Sequence, residues 1–450
     1  MITQSCIGNK HSICVAMRSM GAKIYFFARQ ASKVWKKGYI CCRLKKSKVG
    51  NPENKQKTAF GVLAALSVAH CLNDMLQSVL TASYPLIKNE LGISFAQIGL
   101  ITLVYQFAAS VFQPFVGFFF DKHPVSRSLP IGMSFTLTGL VALGLVPSLP
   151  GVLCAVFLIG MGSSVLHPEA SRITSLASGG RRGLAQSVFQ VGGNFGTSIG
   201  PLAVALLVVP YGRQNISFFA LAAFTAIVVT TPICRWYKRY LNRMKIEMPT
   251  AGKRVEMPLP KKQTIISIGI LLLLIFSKYV YMASLSSYYT FYLITKFGVS
   301  VRESQVFLSV FLVAMAIGTL SGGPIGDRIG RKYVIWISIL GAAPFSLMMP
   351  HVGLTATVIL SFCIGLILSS AFPAILVYAQ ELLPYKLGLI SGLFFGLAFG
   401  IAGISSAILG KMADIHGIEA VYRMCAYMPL LGLITYFLPD LKKININKLK

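Results

Sequence analysis

Polar and titratable side chains recur inside the long apolar runs of this 450-residue chain. Burying such groups in lipid is expensive, so each marks a functional group or a paired structural one. With successive helical residues roughly 100° apart, His70, Asn73, Asp74, Gln77, Thr81 and Tyr84 share one face of a helix. Lys278, Tyr281, Tyr288 and Tyr292 share a face of a second, Gln186, Gln190, Asn194 and Thr197 of a third, and Gln106, Ser110 and Gln113 of a fourth. Two readings fit: the faces line a water-filled cavity, or they bond from helix to helix without touching a substrate. The cavity reading gives them chemistry. A mid-helix carboxylate takes up and releases a proton, and burial and a facing cation act on its proton affinity in opposite senses. A cavity that opens alternately to two sides changes both influences. Asp74 is therefore a candidate proton-coupling group, with Lys278 as its electrostatic counterpart. Lys278 would hold Asp74 when no substrate is bound and a substrate anion otherwise; the rival reading is a permanent ion pair. His70 stands one turn before Asp74 and either tunes that proton site or is a satisfied structural histidine.

Another run holds His167, Glu169 and Arg172. About 160° separates His167 from Glu169 on a straight helix, so these two cannot share a metal. Glu169 and Arg172 are i,i+3 neighbours and can pair. The pair is either a neutralised structural one or a switch in which a proton on Glu169 frees Arg172 for an anion. On the second reading Glu169 joins Asp74 and His70 in proton coupling. Arg172 and His167 then join the cavity wall with Asn73, Gln77, Gln106, Gln113, Gln186, Gln190, Asn194, Lys278, Tyr281 and Tyr288. The nine cysteines contain no CxxC pair, so inert thiols are expected and no metal site. No nucleophile–base constellation points to an enzyme, and no cofactor is implied.

The elements that must carry these groups are membrane helices. Hydrophobic residues make up 55% and charged residues 12% of the chain, with a mean hydropathy of +0.69, where ordinary globular domains are roughly 25% charged. So few charges exclude a soluble enzyme, a disordered chain and a secreted disulfide scaffold, and leave an all-α polytopic membrane protein. Twelve apolar runs, each near the ~20 residues a membrane helix needs, lie at 59–87, 96–120, 128–147, 150–175, 184–209, 215–237, 264–292, 303–326, 333–350, 353–380, 388–410 and 418–438. The Lys-, Arg- and Pro-rich segment 238–263 separates two six-helix halves, 58–237 and 264–438, and 439–450 forms a basic tail. Residues 1–57 hold thirteen Lys/Arg and one acid, Glu53. No small-residue cleavage site follows a clean apolar core, so no signal peptide is expected; the segment reads either as a basic cytoplasmic extension touching anionic lipid or as the product of an upstream start codon chosen in error. With the N-terminus inside, inside segments carry 34 Lys/Arg and outside loops six, namely Lys88, Arg213, Lys296, Arg302, Lys411 and Arg423. That asymmetry places both ends in the cytoplasm and accounts for the net charge of +29 without nucleic acid.

The halves repeat at an offset of 204–206 positions. Gly117, Asp121 and Lys122 match Gly323, Asp327 and Arg328; Pro168 matches Pro373; Gly192 and Gly196 match Gly396 and Gly400; and Asp74 matches Lys278. Paired repeats with a site between them are the architecture of secondary transporters. The string Gly323-xxx-Asp327-Arg328-Ile329-Gly330-Arg331-Lys332 resembles the G-xxx-D-R-x-G-R-K loop signature of the major facilitator superfamily. The first-half copy at Gly117–Arg127 keeps the first glycine, the acid and a base but lacks the second glycine. An acid there can bond a neighbouring helix N-terminus, which makes Gly117, Asp121, Lys122, Gly323, Asp327, Arg328 and Arg331 gating residues. Gly192, Gly196, Gly200 and Pro201 in the fifth run resemble the glycine-proline motif of the drug/proton antiporter branch; glycines every fourth residue give a flat face for close packing.

Denser strings narrow the resemblance. His70-Cys-Leu-Asn73-Asp74-Met-Leu-Gln77, His167-Pro-Glu169-Ala-Ser-Arg172, the stretch from Ala177 through Gln186 and Gln190 to Gly196, Phe276-Ser-Lys278-Tyr279 and Val377-Tyr-Ala-Gln-Glu381 resemble the bacterial fosmidomycin resistance family over about residues 58–440. The resemblance implies export of small anionic or polar compounds such as that phosphonate antibiotic across the inner (plasma) membrane, driven by the proton gradient and by no cofactor. The implied partners are a small-molecule substrate, protons and the lipid bilayer, with a monomer expected. A proton-coupled importer of an organic anion on the same fold is the alternative. A membrane enzyme or sensor is the rival from another class, and no catalytic cluster or large soluble domain supports it.

Overall fold

The computed structural model describes residues 58–93, 95–247 and 258–448. The basic extension 1–57 and the middle of the linker, 248–257, lie outside the described residues. Among the described residues all regular structure is helical. Eleven helical segments are long and apolar enough to cross a membrane. We number the long helices in order: α1 Phe60–Ala82, α2 Phe95–Lys122, α3 Ser128–Leu145, α4 Leu149–Ala177, α5 Arg182–Leu207, α6 Ala220–Glu247, α7 Lys261–Phe297 and α8 Val301–Ile329. Then follow α9 over the span Arg331–His351, α10 over Leu354–Leu382 with a joint at Ser370, α11 Leu387–His416 and α12 starting at Ile418.

Twelve runs were expected, and the one outside the eleven is α5. It is 26 residues long, about 39 Å at 1.5 Å per residue, which is ample for a bilayer. Its composition holds it back: Gln186, Gln190, Asn194 and its glycines replace the aliphatic residues of the other spans. Those substitutions are what a helix lining a polar cavity requires. α6 runs on to Glu247, so the first ten residues of the segment read as linker are helical.

Local chemistry explains several boundaries. Gly92 and Gly298 end helices in the left-handed conformation, which glycine adopts without a Cβ penalty. α8 starts with a capping box: the Ser300 hydroxyl accepts from Glu303 N at 3.2 Å, while Ser300 N donates to the Glu303 carboxylate at 2.9 Å. That backbone donor, joined by the Ser300 hydroxyl, holds the Glu303 carboxyl below its usual range.

The glycine face of α5 meets α1. A Cβ on Gly192 or Gly196 would run into the main-chain oxygens of Ser67 and Cys71, and one on Gly200 would stand 2.5 Å from Ser78 Cβ. The four-residue spacing of the glycines thus matches the four-residue spacing of the α1 backbone they touch. The outer surface is apolar: Phe107, Val111, Phe115 and Phe118 form an exposed stripe on α2, suited to lipid tails.

Candidate functional site

Between the helices lies a cavity of about 150 Å³. α1 supplies His70 and Asp74, α5 supplies Gln190, Asn194 and Thr197, α7 supplies Lys278, and Phe372, Phe395 and Phe399 close one side. Asp74 anchors the polar end of this cavity. His70 Nε2 lies 3.2 Å from Asp74 Oδ2, and His167 Nε2 lies 3.2 Å from Oδ1. Asn73 Nδ2 and Gln77 Nε2 donate to Oδ1 at 3.1 and 3.2 Å, and the Tyr105 hydroxyl donates to Gln77 Oε1. His70 Nδ1 is 2.7 Å from Phe189 O, and its ring stacks on Phe189 at 4.0 Å. His167 Nδ1 is 3.0 Å from Ser163 O.

The i,i+4 contact of His70 with Asp74 follows from helix geometry. The contact with His167 does not, because it crosses from α4 to α1. His167 is therefore corrected from cavity wall to partner of Asp74; it is fully buried. Asn73 and Gln77 likewise act on Asp74 rather than on the cavity surface.

Lys278 and Asp74 line the same cavity, but they are not an ion pair. The acid's nearest partners are the two histidines, and Lys278 Nζ sits over the rings of Tyr279 and Phe372 at 5.0 and 5.3 Å. Aromatic faces attract a cation without neutralising it, so the charge of Lys278 remains available to an anion.

Four other residues assigned to the cavity lie elsewhere. Tyr281 is buried in the second half, packed near Tyr289 and Tyr292. Tyr288 donates to Ser406 O at 2.6 Å, joining α7 to α11. Gln186 Nε2 donates to Ser171 O at 2.9 Å, and Gln113 Nε2 donates to Ala109 O at 2.5 Å. The last three bonds are made inside the helix packing, not at the cavity surface. Gln106 stands in the crevice between α2 and α11, near Gly403.

Arg172 also leaves the cavity, for the end of α2. Its guanidinium bridges Glu169 at 3.1 Å and Asp121 at 3.3 Å and lies 5.7 Å from the Tyr237 ring centre. Ser128 Oγ adds a bond to Glu169 at 3.3 Å. The i,i+3 pairing was legible in sequence; the link to Asp121, 51 positions away, was not.

Asp121 and Asp327 perform reciprocal tasks. Asp121, on α2, accepts from the backbone N–H groups of Gly388 and Leu389 at the start of α11, at 2.9 and 2.8 Å. Asp327, on α8, accepts from Gly183 and Leu184 at the start of α5, at 3.0 Å each. A helix start offers unpaired N–H donors and positive potential to such an acid. Gly117 contacts Gly388 and Gly323 contacts Gly183 so closely that a Cβ on any of them would meet backbone. Each latch joins one half of the molecule to the other. Arg331 backs Asp327 at 2.9 Å and also reaches Glu381 at 3.1 Å. Lys122 lies over Phe118 at 4.3 Å, and Arg328 O accepts from Lys442. Sequence reasoning missed Glu381, although it stands in one of the strings quoted for the family resemblance.

Away from the Asp121 latch α2 and α11 diverge, whereas α5 and α8 stay joined through Asn194 Nδ2, which donates to Thr319 Oγ1 at 3.2 Å. A Cβ on Gly388 would be 2.5 Å from Gly117 O, one on Gly396 2.5 Å from Ser110 O, one on Gly400 4.0 Å from Ser110 Cβ, and one on Gly403 3.7 Å from Gln106 Nε2. The wedge narrows toward the end that holds Ala59, bonded to Ala177 O, and Lys442, bonded to Arg328 O.

Comparison with known proteins agrees with this arrangement. The chain is 56% identical over 386 residues to the fosmidomycin resistance protein of Escherichia coli K12, covering 86% of this chain and 94% of that protein. It is 37% identical over 406 residues to an uncharacterized MFS-type transporter of Bacillus subtilis 168, covering 90% and 98%. Among solved structures, the transporter FucP in its outward conformation aligns with a TM-score of 0.66 at 15% identity, over 84% of this chain and 98% of that one. The human organic anion transporter MFSD10 aligns at 0.64 and 14%, over 87% and 100%; at these identities the likeness is one of fold. The family model described as Major Facilitator Superfamily matches residues 66–407 and 270–448. With the repeat, the reciprocal latches and a cavity between two helical halves, the chain belongs to the Major Facilitator Superfamily.

Proposed function

We propose that the protein exports small anionic compounds, of which the phosphonate fosmidomycin is the leading example, in exchange for protons entering the cell. The observation that carries this reading is a cavity with two chemically distinct ends. Asp74, clasped by two histidines, offers a place for a proton, and Lys278, held only by aromatic faces, offers a positive charge to an anion. The 56% identity to a fosmidomycin resistance protein supports the substrate class. Alternating access supplies the mechanism: the cavity is exposed to one side, then the other, and proton and substrate occupy it in turn.

In this reading α5 is the twelfth crossing, the membrane is the bacterial inner membrane, and both termini are cytoplasmic. The latched end is then the cytoplasmic one, and the described conformation faces outward. A proton moving inward through 100 mV yields ~2.3 kcal/mol, enough to support a concentration gradient of roughly fiftyfold for a neutral exchange partner.

The test is uptake of fosmidomycin into inside-out vesicles. Uptake should follow an imposed proton gradient and collapse when a protonophore dissipates it. Asp74→Asn should abolish gradient-driven uptake while leaving folded protein and substrate binding. Accumulation in right-side-out vesicles instead would favour an importer. A reporter active only outside the cytoplasm should be silent when fused after Lys450; activity there would overturn the orientation.

A further inference from the structure

The two histidines beside Asp74 are oriented in a way that proton coupling alone does not require. His70 Nδ1 faces Phe189 O and His167 Nδ1 faces Ser163 O. A carbonyl oxygen only accepts, so these contacts suit a proton on each Nδ1, and the Ser163 hydroxyl, 3.1 Å from His167 Nδ1, is free to turn its lone pair to that proton. In the neutral rings each Nε2 then presents a lone pair, and both face one carboxylate. The two rings are 2% and 0% exposed, and apart from the 3.2 Å approaches to Asp74 neither Nε2 has a polar partner among the described residues. Acceptors turned toward a carboxylate repel one another unless something positive lies among them.

We propose that His70, Asp74 and His167 bind one divalent transition-metal ion, with Zn2+ as the best chemical match and a fourth position open to the central cavity. The three ligand atoms lie within 4.8 Å of one another. In a tetrahedral site with bonds of about 2.05 Å, neighbouring ligand atoms stand about 3.3 Å apart; here His70 Nε2 is 3.2 Å from Asp74 Oδ2 and His167 Nε2 3.2 Å from Oδ1, so the two imidazoles flank the carboxylate, one at each oxygen. Two imidazoles and a carboxylate favour Zn2+, Ni2+ or Cu2+ over the oxygen-seeking Mg2+ and Ca2+. The surroundings are those of a metal site. Each imidazole is oriented by a bond from its other nitrogen to a backbone carbonyl, and the carboxylate is steadied by Asn73 and Gln77. His70 and Asp74 border the cavity that also holds Lys278, so water or an anionic oxygen of a ligand completes the shell. Within one helix the sequence shows no metal spacing; the set forms only because α4 lies against α1.

The binding stands apart from the transport direction and substrate proposed above. Its consequence for transport, that the ion occupies the lone pairs a coupling proton would use, rests on that reading.

The experiment uses the full-length protein in detergent, with thiols reduced and any affinity tag removed, and Zn2+ alone as the probe. Titration calorimetry should give one site per chain. X-ray absorption at the zinc edge should show a shell of nitrogen and oxygen at about 2.0–2.1 Å. His70→Ala and His167→Ala should each weaken binding roughly tenfold or more, and His416→Ala, at an exposed helix end, should not. The absorption spectrum needs no variant, so a misfolded mutant leaves the proposal falsifiable. Absence of stoichiometric binding, a shell containing sulfur at about 2.3 Å, or retained affinity in both histidine variants would each overturn it. A protein that binds Zn2+ as proposed yet transports no fosmidomycin would separate the two readings.

Discussion

At the scale of single residues, the chemistry concentrates in groups whose partners come from other helices. Lys278 has aromatic faces beneath its ammonium group and no carboxylate among its described contacts. Its neutralisation therefore leaves no acid unpaired, unlike removal of one member of a buried pair. Lys278→Met should keep the protein folded and raise the KM for an anionic substrate roughly tenfold or more, about 1.4 kcal/mol; vesicle transport at varied substrate concentration measures it. Equal loss for an uncharged substrate would show that the lysine positions helices instead. Asp74 was legible in the sequence as a mid-helix acid, and so was its i,i+4 histidine. The expected pairing with Lys278 was not what folded. Pseudo-symmetry put the two at equivalent positions, but equivalence under a two-fold axis sets no distance across it. His167 took the place beside the acid because α4 packs against α1, a contact that the periodicity of either helix alone cannot contain.

At the scale of elements, periodicity did most of the work. Eleven apolar runs became helical segments long and apolar enough to cross a membrane, and α5 was readable as a helix because its glycines recur every fourth residue against α1. Helical wheels failed for Tyr281 and Tyr288, since a wheel shows which residues share a face but not what the face meets. One further α5 glycine, Gly193, lies off the glycine face. A Cβ on Gly193 would come within 2.6 Å of both Asp74 Oδ2 and His70 Nε2. Gly193→Ala should therefore disturb the His70–Asp74–His167 cluster while leaving the helix intact, because alanine is the better helix former by about 1 kcal/mol. Gradient-driven transport should fall severalfold with unchanged thermal stability. Gly61→Ala, on α1 with open space around it, is the matched control and should transport like the parent.

At the scale of the whole molecule, two reciprocal latches hold the halves together at one end. Each is a carboxylate receiving two N–H groups, and bonds to a charged group contribute roughly 1.5–3 kcal/mol each. Asp327→Ala should shift the resting population toward the conformer opened at that end by about a hundredfold if about 3 kcal/mol is lost. A cysteine placed near Gly183 would then react faster with a bulky aqueous thiol reagent; an unchanged rate would mean that packing, not the latch, closes this end. The ladder of glycines on α11 has a mechanical meaning beyond closure. Its rungs run from backbone overlap at Gly388, Gly392 and Gly396 to ordinary contact at Gly400 and Gly403, so it works as a two-step feeler gauge for the gap between α2 and α11. A single methyl at a wide rung fits this conformer but obstructs the one in which the wedge inverts. Gly403→Ala should consequently jam the rocking motion with the latches shut, slowing turnover while sparing both folding and the first binding event. Gly388→Ala should prop the latches apart instead, so that two methyl groups four turns apart on one helix select opposite halves of the transport cycle.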